Sequence, residues 1–170
     1  MKNYLRVLVP FVVLGLLAIL FFKIKDRLNE KRKIETATAI LPKVSFLSIE
    51  GDSVSINAPT NKVKYLVFFN SECENCQSEA RLLADNFEAF EDAGVYFLSN
   101  EPLENIINFR EQYLKGQVGF NIGSIDSKVS SGIFGVHTFP YLMIYGSDNK
   151  LLKTFKGEVK LEALTQYVKQ

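Results

Sequence analysis

The chain has 170 residues, and its 20 lysines and arginines nearly balance its 19 aspartates and glutamates, for a net charge of +1. The length fits one domain of ordinary size with an appendage, and the balanced charge gives no reason to expect nucleic-acid binding. We find no internal repeat and no low-complexity tract in the sequence.

The appendage is at the N-terminus. Residues 7–22 form an unbroken apolar run that is bounded by Arg6 and Lys23. A membrane-spanning helix usually needs about 20 apolar residues, so this run makes a short span if the flanking basic side chains reach the interfaces. A cleaved signal peptide is the alternative, but the small residues 37–39 that could form its site follow a long charged stretch. We therefore predict a transmembrane signal-anchor over residues 1–24.

Residues 25–40 begin with dense charge and then lose it, which we interpret as a stalk and linker. Basic residues are more numerous after the apolar run than before it, and the positive-inside rule alone would place the domain in the cytoplasm. That rule weakens when a long domain follows the span. The charge count therefore leaves the orientation of the anchor open.

The pattern of apolar and turn residues over residues 41–170 predicts strands that alternate with helices. Strands are predicted at 44–49, 54–56, 64–70, 95–98, 118–125, 141–145 and 151–155. Helices are predicted at 77–91, 102–114, 127–134 and 161–168. The run at 64–70 does not alternate, which is typical of a central strand buried on both faces. This order implies an α/β layer fold with a mixed central sheet.

The two cysteines of the chain, Cys73 and Cys76, lie between the predicted central strand and the helix that follows it. Two thiols three positions apart at such a turn can close a disulfide and open it again. The first thiol lies near the unpaired amides and positive dipole end of the helix, which favour the thiolate. Thiolate is the nucleophile in disulfide exchange, so this pattern indicates redox chemistry.

Other uses of the cysteine pair are possible. A structural zinc needs four ligands, but the chain offers only these cysteines and one histidine, His137. A purely structural disulfide in so short a loop would stabilise the fold little. A metal-handling module that binds copper with the cysteines and His137 remains an alternative. So does a peroxiredoxin-like peroxidase, although neither the Pro nor the Thr or Ser that it uses is in place over residues 66–72, ahead of Cys73.

Several motifs together resemble the thioredoxin-like superfamily, and within it the membrane-anchored TlpA/ResA-type thiol-disulfide oxidoreductases. The segments that carry the resemblance are the hairpin 41–56, the strand and cysteine turn 65–76, the loop 134–140 and the turn 148–151. The resemblance extends over residues 41–170. It implies a thioredoxin-like fold, with a mixed central sheet flanked by helices and an N-terminal β-hairpin.

The same resemblance implies roles for single residues. Cys73 corresponds to the attacking thiol and Cys76 to the resolving thiol of a redox-active disulfide. Glu79 matches a glutamate that tunes or relays protons to the thiols in ResA-like relatives, and a solvent-facing glutamate that complements the helix dipole is the alternative. Phe139 and Pro140 correspond to the substrate-binding loop, where a cis peptide bond is expected.

The chain departs from the family pattern close to the cysteines. Glu72 stands where tryptophan is usual, Asn75 where proline is frequent, and Phe139 where threonine is frequent. Negative charge from Glu72, Glu74 and Glu79 is expected around the thiols, and like charge disfavours thiolate. We therefore expect a reductant or a mild exchanger rather than a strong oxidase.

The resemblance also implies a cellular setting. Relatives of this type face the extracytoplasmic side, so we expect a single-pass protein of a bacterial inner membrane with a periplasmic domain. Its partners would be protein thiols and disulfides, apocytochrome c being one option, and a membrane thiol would donate electrons. No cofactor, resident metal or nucleic-acid partner is expected.

Overall fold

The computed structural model describes residues 2–58 and 60–168, with the side chains of the first helix described from Leu14 onward. The chain divides into two units, the first of which ends at Thr36 and the second of which begins at Ala37. The predicted site residues all lie in the second unit.

The N-terminal unit is formed by helix α1, Lys2–Thr38, which continues a short way into the second unit. Its large apolar side chains are exposed along the described part, namely Leu14, Leu16, Leu17, Ile19, Leu20, Phe21, Phe22, Ile24 and Leu28. In the part of the chain that the structure describes, no helix is both long and apolar enough to cross a membrane. Residues 1–13 of the predicted anchor lie outside the residues whose side chains are described.

The second unit contains the predicted strands and helices in the predicted order. The strands are β1 (Ser45–Ser48), β2 (Ser53–Ser55), β3 (Val63–Phe68), β4 (Ala93–Ser99), β5 (Phe120–Ser124), β6 (Tyr141–Tyr145) and β7 (Leu151–Lys156). The helices are α2 (Glu74–Asp85), α3 (Leu103–Tyr113), α4 (Ser127–Gly132) and α5 (Leu161–Thr165), and a 3-10 helix spans Phe87–Phe90.

The strands form a seven-stranded mixed sheet in the order β2-β1-β5-β4-β3-β6-β7. Strands β3, β4 and β5 are parallel, while β6 is antiparallel to β3. Every residue of β3 is buried, as its mostly apolar run without alternation predicted, because neighbouring strands and packed side chains surround it. The carboxyl ends of the three parallel strands therefore meet at one edge of the sheet, where the cysteine turn begins.

Alternate residues of β3 point into two hydrophobic clusters. Tyr65 and Val67 pack with Leu83 of α2, in a cluster that also includes residues of α3 and α5. Leu66 and Phe68 pack on the other face with Phe134, which follows α4. Helix α2 is thus anchored to the sheet through its apolar stripe, and this fixes the position of the cysteines at its first turn.

Helix α2 begins and ends earlier than the sequence predicted. It starts at Glu74 because Cys73 takes the N-cap position. It ends at Asp85 because Asn86 leaves the helical backbone region, with φ −118° and ψ 30°, and its side-chain amide donates a 2.8 Å hydrogen bond to the Leu82 carbonyl. Asparagine competes in this way with the hydrogen bonds of the helix, so the predicted helical stripe continues only as a 3-10 helix.

Candidate active site

The first cysteine caps helix α2. Cys73 has an extended backbone, with φ −81° and ψ 112°, and its sulfur accepts a 3.4 Å hydrogen bond from the backbone N–H of Cys76. A side chain at this position satisfies one of the free amides of the first turn. The same amides and the helix dipole attract negative charge at the start of the helix, and the local fold places the Cys73 sulfur there.

The two thiols differ in exposure. Both are free in this structure; Cys73 is partly exposed, whereas Cys76 is only 2% exposed. Burial is the main cause that raises the pKa of the Cys76 thiol, and its hydrogen bond with Cys73 and the nearby charge of Glu79 act in the same direction. Cys76 is therefore held as a protonated thiol behind the accessible Cys73.

The loop before β6 lies against the first cysteine. The Phe139–Pro140 peptide bond is cis, which confirms the predicted geometry of this loop. The Cys73 thiol makes a long 3.7 Å contact as donor to the Phe139 carbonyl oxygen. On its other side the loop is held by Gly157, whose N–H donates a 2.8 Å hydrogen bond to the Pro140 carbonyl. The structure therefore brings both predicted substrate-binding residues next to the predicted nucleophile.

Glu79 is fully buried, so the solvent-facing alternative for this residue is wrong. It lies on the same buried face of α2 as Cys76. Neither carboxylate oxygen has a hydrogen-bond partner among the residues that the structure describes. Burial, and secondarily the charge of Glu158, raises the pKa of Glu79 to about 8. At neutral pH this carboxyl group is therefore mostly protonated.

This protonation changes the electrostatics predicted for the site. Glu72 and Glu74 are exposed and lie on either side of Cys73, where solvent screens their charge. Glu79, by contrast, carries little negative charge at pH 7 because of its raised pKa. The expected acidic surroundings of the thiols are therefore milder than three ionised glutamates would produce.

Two further glutamates near the site were missed by the sequence analysis. Glu158 follows the positive-φ residue Gly157 and influences Glu79 by its charge. Glu101 follows β4 and accepts hydrogen bonds from Ser71, in the turn before the cysteines. A signal for Glu101 was available, because polar residues just beyond the carboxyl ends of parallel strands often belong to a site. The sequence offered no such signal for Glu158.

The metal-handling alternative placed His137 beside the two cysteines. Within residues 2–58 and 60–168, no cluster of three or more histidine, cysteine, aspartate or glutamate side chains is arranged to hold a metal ion. His137 is exposed, and it does not complete such a cluster with the two cysteines. The arrangement instead combines an accessible thiol, a sheltered thiol and a buried acid, which suits exchange between disulfides.

Comparisons with known proteins are consistent with this geometry. No family model matches the chain. The thiol-disulfide oxidoreductases ResA of Bacillus thuringiensis subsp. konkukian and of Bacillus cereus are each 25% identical to it. Each alignment is 175 positions long and covers 99% of this chain and 97% of the relative. The similarity thus includes the N-terminal unit as well as the domain with the cysteines.

Solved structures show the same fold. StoA from Bacillus subtilis matches with a TM-score of 0.60 and 17% identity, over 76% of this chain and 98% of that one. A thioredoxin-like protein from Aeropyrum pernix matches with a TM-score of 0.61 and 19% identity, over 89% and 98% of the two chains. The chain therefore has a thioredoxin-like fold and has homologues of the ResA type, as its motifs indicated.

Proposed function

We propose that this thioredoxin-fold relative of the ResA proteins is a thiol-disulfide oxidoreductase that exchanges protein disulfides through Cys73 and Cys76. One observation carries the proposal: a partly exposed sulfur caps helix α2, faces the cis-proline loop, and has a second, buried thiol behind it. The similarity to oxidoreductases over nearly the whole chain supports the same activity. No observation favours the peroxidase alternative.

The exchange proceeds in two steps. The Cys73 thiolate attacks one sulfur of a substrate disulfide, a mixed disulfide forms, and one substrate sulfur leaves as a thiolate that takes up a proton. Cys76 then loses its proton and attacks the sulfur of Cys73, and the second substrate sulfur leaves. Both leaving sulfurs take up a proton, and Cys73 released its own proton when it became a thiolate. Counted from the dithiol form, the substrate therefore gains two electrons and two protons, while the protein loses them and is left with a Cys73–Cys76 disulfide.

Glu79 serves the second step in this proposal. The burial of Cys76 makes its proton hard to remove, and the attack on the mixed disulfide requires the thiolate. A carboxylate on the same buried face, with a pKa of about 8, is close to the working pH and can accept that proton. Its oxygens are not occupied by hydrogen bonds from other described residues, so they are available for the transfer.

The loop at Phe139 and Pro140 binds the substrate in this proposal. Its contact with the Cys73 sulfur supports this role, because the mixed disulfide forms at that sulfur in the proposed exchange. An extended peptide segment can pair with such a backbone edge. We further propose a net reductive direction, in which a membrane dithiol donates two electrons and two protons to restore both cysteines, as part of extracytoplasmic redox homeostasis.

Cysteine variants test the exchange. The wild type should reduce insulin disulfides with dithiothreitol as the electron source, and Cys73→Ala should abolish this activity. Cys76→Ala should accumulate mixed disulfides with substrate proteins, which non-reducing electrophoresis detects and reduction releases. If both variants reduce insulin as fast as the wild type, the proposed activity is wrong. Mass spectrometry of the trapped partners would also identify the substrate class.

We also propose that α1 anchors the domain to a bacterial inner membrane and that the domain is periplasmic. The support is the exposed apolar surface of the helix, since a large exposed apolar patch is typical of a protein or membrane contact. In the sequence, the apolar run at 7–22 begins before the first described side chain, Leu14. The ResA-type homologues match the N-terminal unit too, which supports a shared arrangement.

Cell fractionation tests the anchor. The full chain should be found with the membrane after a high-salt wash, and a chain that lacks residues 1–24 should not. Alkaline phosphatase fused after the last residue should be active if the domain is periplasmic. A soluble, shortened product would favour the cleaved signal peptide, and an inactive fusion would overturn the proposed orientation.

A further inference from the structure

The turn that carries Cys73 is held by Glu101, a side chain just beyond the end of the neighbouring strand β4. The backbone N–H of Ser71 donates a 2.7 Å hydrogen bond to Glu101 Oε2, and the Ser71 hydroxyl donates a 2.7 Å hydrogen bond to Oε1. Both oxygens of one carboxylate thus bind one residue of the turn. Such a paired contact to a charged acceptor fixes direction as well as distance.

Glu101 is itself fixed to the sheet. The hydroxyl of Ser99, the last residue of β4, donates a 2.9 Å hydrogen bond to Glu101 Oε2 and accepts a 3.3 Å one from the Glu101 N–H. The hydroxyl of Ser124, the last residue of β5, donates a 3.2 Å hydrogen bond to the Glu101 carbonyl. Ser99 and Ser124 are register partners of the parallel pair. The carboxylate therefore has a position that two strand ends define.

The turn is tied to helix α2 as well. The Gln77 side-chain amide donates a 2.9 Å hydrogen bond to the Ser71 carbonyl, and the Cys73 N–H donates a 3.2 Å one to the Asn70 carbonyl. Ser71 is thus bound on one side to Glu101 and on the other to the helix whose N-cap is Cys73. A displacement of Ser71 would move the sulfur relative to the helix amides and to the cis-proline loop.

We propose that Glu101 is a positioning residue for thiol-disulfide exchange, which holds the turn so that the Cys73 sulfur caps helix α2 and faces the Phe139 carbonyl. The inference rests on the proposed function, because it assigns Glu101 to the exchange at Cys73. Glu101 does not touch the reacting sulfur in the contacts described; it acts through Ser71.

The proposal requires an acceptor-only group at this position. An ionised carboxylate can accept all of the hydrogen bonds described, from one N–H and two hydroxyls, on its two oxygens. A glutamine has a single acceptor oxygen, and its NH2 group would face donors of Ser71 or Ser99, from which it cannot accept a hydrogen bond. Glu101→Gln therefore weakens the contact while it keeps the shape of the side chain. Loss of one charge-assisted hydrogen bond corresponds to a rate change of about tenfold.

A purely electrostatic role for Glu101 predicts the opposite sign. A negative charge near a thiol disfavours thiolate, so its removal alone would make Cys73 more reactive. Loss of positioning moves the sulfur away from the helix amides that favour thiolate, and so makes it less reactive. The direction of the change in Glu101→Gln therefore separates the two roles.

The test is the rate at which iodoacetamide alkylates Cys73, measured in a Cys76→Ala background so that one thiol reacts. We expect Glu101→Gln to slow alkylation about tenfold, and Ser71→Ala, which removes one of the donors without a charge change, to slow it about threefold. Glu104→Gln removes an exposed charge at the start of α3 and should leave the rate unchanged. With both cysteines present, the reduction potential of Glu101→Gln should become more negative.

An unchanged or faster rate in Glu101→Gln would overturn the proposal, and so would an equal slowing in Glu104→Gln. Far-ultraviolet circular dichroism shows whether each variant is folded, and Ser71→Ala decides the matter if Glu101→Gln does not fold. The alkylation rate requires no substrate disulfide. If the wild type fails to reduce any disulfide, the proposed function is wrong, while the comparison of alkylation rates still decides the role of Glu101.

Discussion

Two glutamates near the cysteine turn lie in contrasting surroundings. Glu79, on the buried face of α2, has no hydrogen-bond partner within the described residues, and its pKa is raised to about 8. Glu101, beyond the end of β4, accepts hydrogen bonds from the turn and from its own strand. A carboxylate surrounded by hydrogen-bond donors stabilises the local structure, whereas a buried carboxyl group without donors can exchange its proton with a neighbouring group.

A buried lysine falls between these extremes. Lys64, in the first half of β3, is fully buried, and its ammonium group donates a 2.7 Å hydrogen bond to the side-chain oxygen of Asn149. Burial lowers the pKa of Lys64. Because its partner is neutral, the hydrogen bond replaces only part of the hydration that the ammonium group loses. We therefore expect the number and charge of the hydrogen-bond partners to determine how much each of the three side chains changes the free energy of unfolding.

The largest expected effect is the pH dependence that Glu79 gives to stability. Its folded pKa of about 8 lies above the usual value of 4.5, so the folded state binds an extra proton between these values. The free energy of unfolding should then fall as pH rises from 4.5 to 8, by up to about 5 kcal/mol. Glu79→Gln cannot titrate and should lose this dependence, as urea denaturation at pH 5 and pH 9 would measure.

A matched control for this prediction is Glu88→Gln, which removes an exposed glutamate in the 3-10 helix. That variant should keep the pH dependence of the wild type. If Glu79→Gln and the wild type lose the same free energy between the two pH values, Glu79 does not hold a raised pKa. The contrast in surroundings between Glu79 and Glu101 would then have no effect on the free energy of unfolding.

Replacement of Lys64 is expected to stabilise the fold. Lys64→Met keeps a long apolar side chain and removes a buried charge with a neutral partner, so the free energy of unfolding at pH 7 should rise by about 2 kcal/mol. Since the folded pKa of Lys64 is lowered, wild-type stability should increase as pH rises through that pKa toward 10.5, and the variant should lack this increase. Urea titrations at pH 7 and pH 10 measure both effects.

Lys43→Met is the control for Lys64→Met, because Lys43 is exposed. It should change the free energy of unfolding by less than about 0.5 kcal/mol. A destabilised Lys64→Met would mean that the hydrogen bond to Asn149 contributes more than the buried charge costs. Lys64 would then belong with Glu101 rather than between the two glutamates.

A kinetic prediction separates the chemical role of Glu79 from its effect on stability. When the reduced protein reacts with dithiobis(nitrobenzoate), attack by Cys73 on the reagent releases the first thionitrobenzoate. Attack by Cys76 on the mixed disulfide at Cys73 releases the second. The rate of the second release should rise with pH around a midpoint near 8, because Glu79 accepts the Cys76 proton only when ionised. Glu79→Gln should slow this release by at least about tenfold at pH 8, as stopped-flow absorbance would show.

The first release is the internal control for this kinetic prediction. Attack by Cys73 does not use Glu79 in the proposed mechanism, so its rate should change little in Glu79→Gln. Equal slowing of both releases would indicate a general distortion of the turn. An unchanged second release would rule out proton transfer through Glu79.

Local patterns in the sequence were sufficient for the main elements of the fold. The mostly apolar run of β3 and the two cysteines at the helix start each predicted the feature that the structure contains, whereas the cis bond before Pro140 was implied by the family resemblance. In these cases the residues that determine the structure are close in sequence. The early end of α2 was missed because it depends on one side-chain hydrogen bond of Asn86.

The surroundings of the glutamates could be predicted only in part. Glu79 is four residues before Leu83 and shares its buried face of α2, but the sequence analysis left a proton-relay role and a solvent-facing position both open. Glu101 and Ser71 are 30 residues apart in sequence, and they meet because β3 and β4 are parallel with their carboxyl ends at one edge. Contacts of that kind depend on the register of the sheet, which the sequence pattern did not specify.

The smallest expected effect concerns Glu158, which adds to the difference between Glu79 and Glu101. Its charge is the second cause, after burial, of the raised pKa of Glu79. Glu158→Gln should therefore lower the pKa of Glu79, and the midpoint of the second thionitrobenzoate release should move below 8. Because Glu158 is exposed, the shift should be smaller than the part due to burial and should shrink at high salt. Glu162→Gln, an exposed change on α5, should leave the midpoint in place, and a similar shift in both variants would assign the effect to overall charge rather than to Glu158.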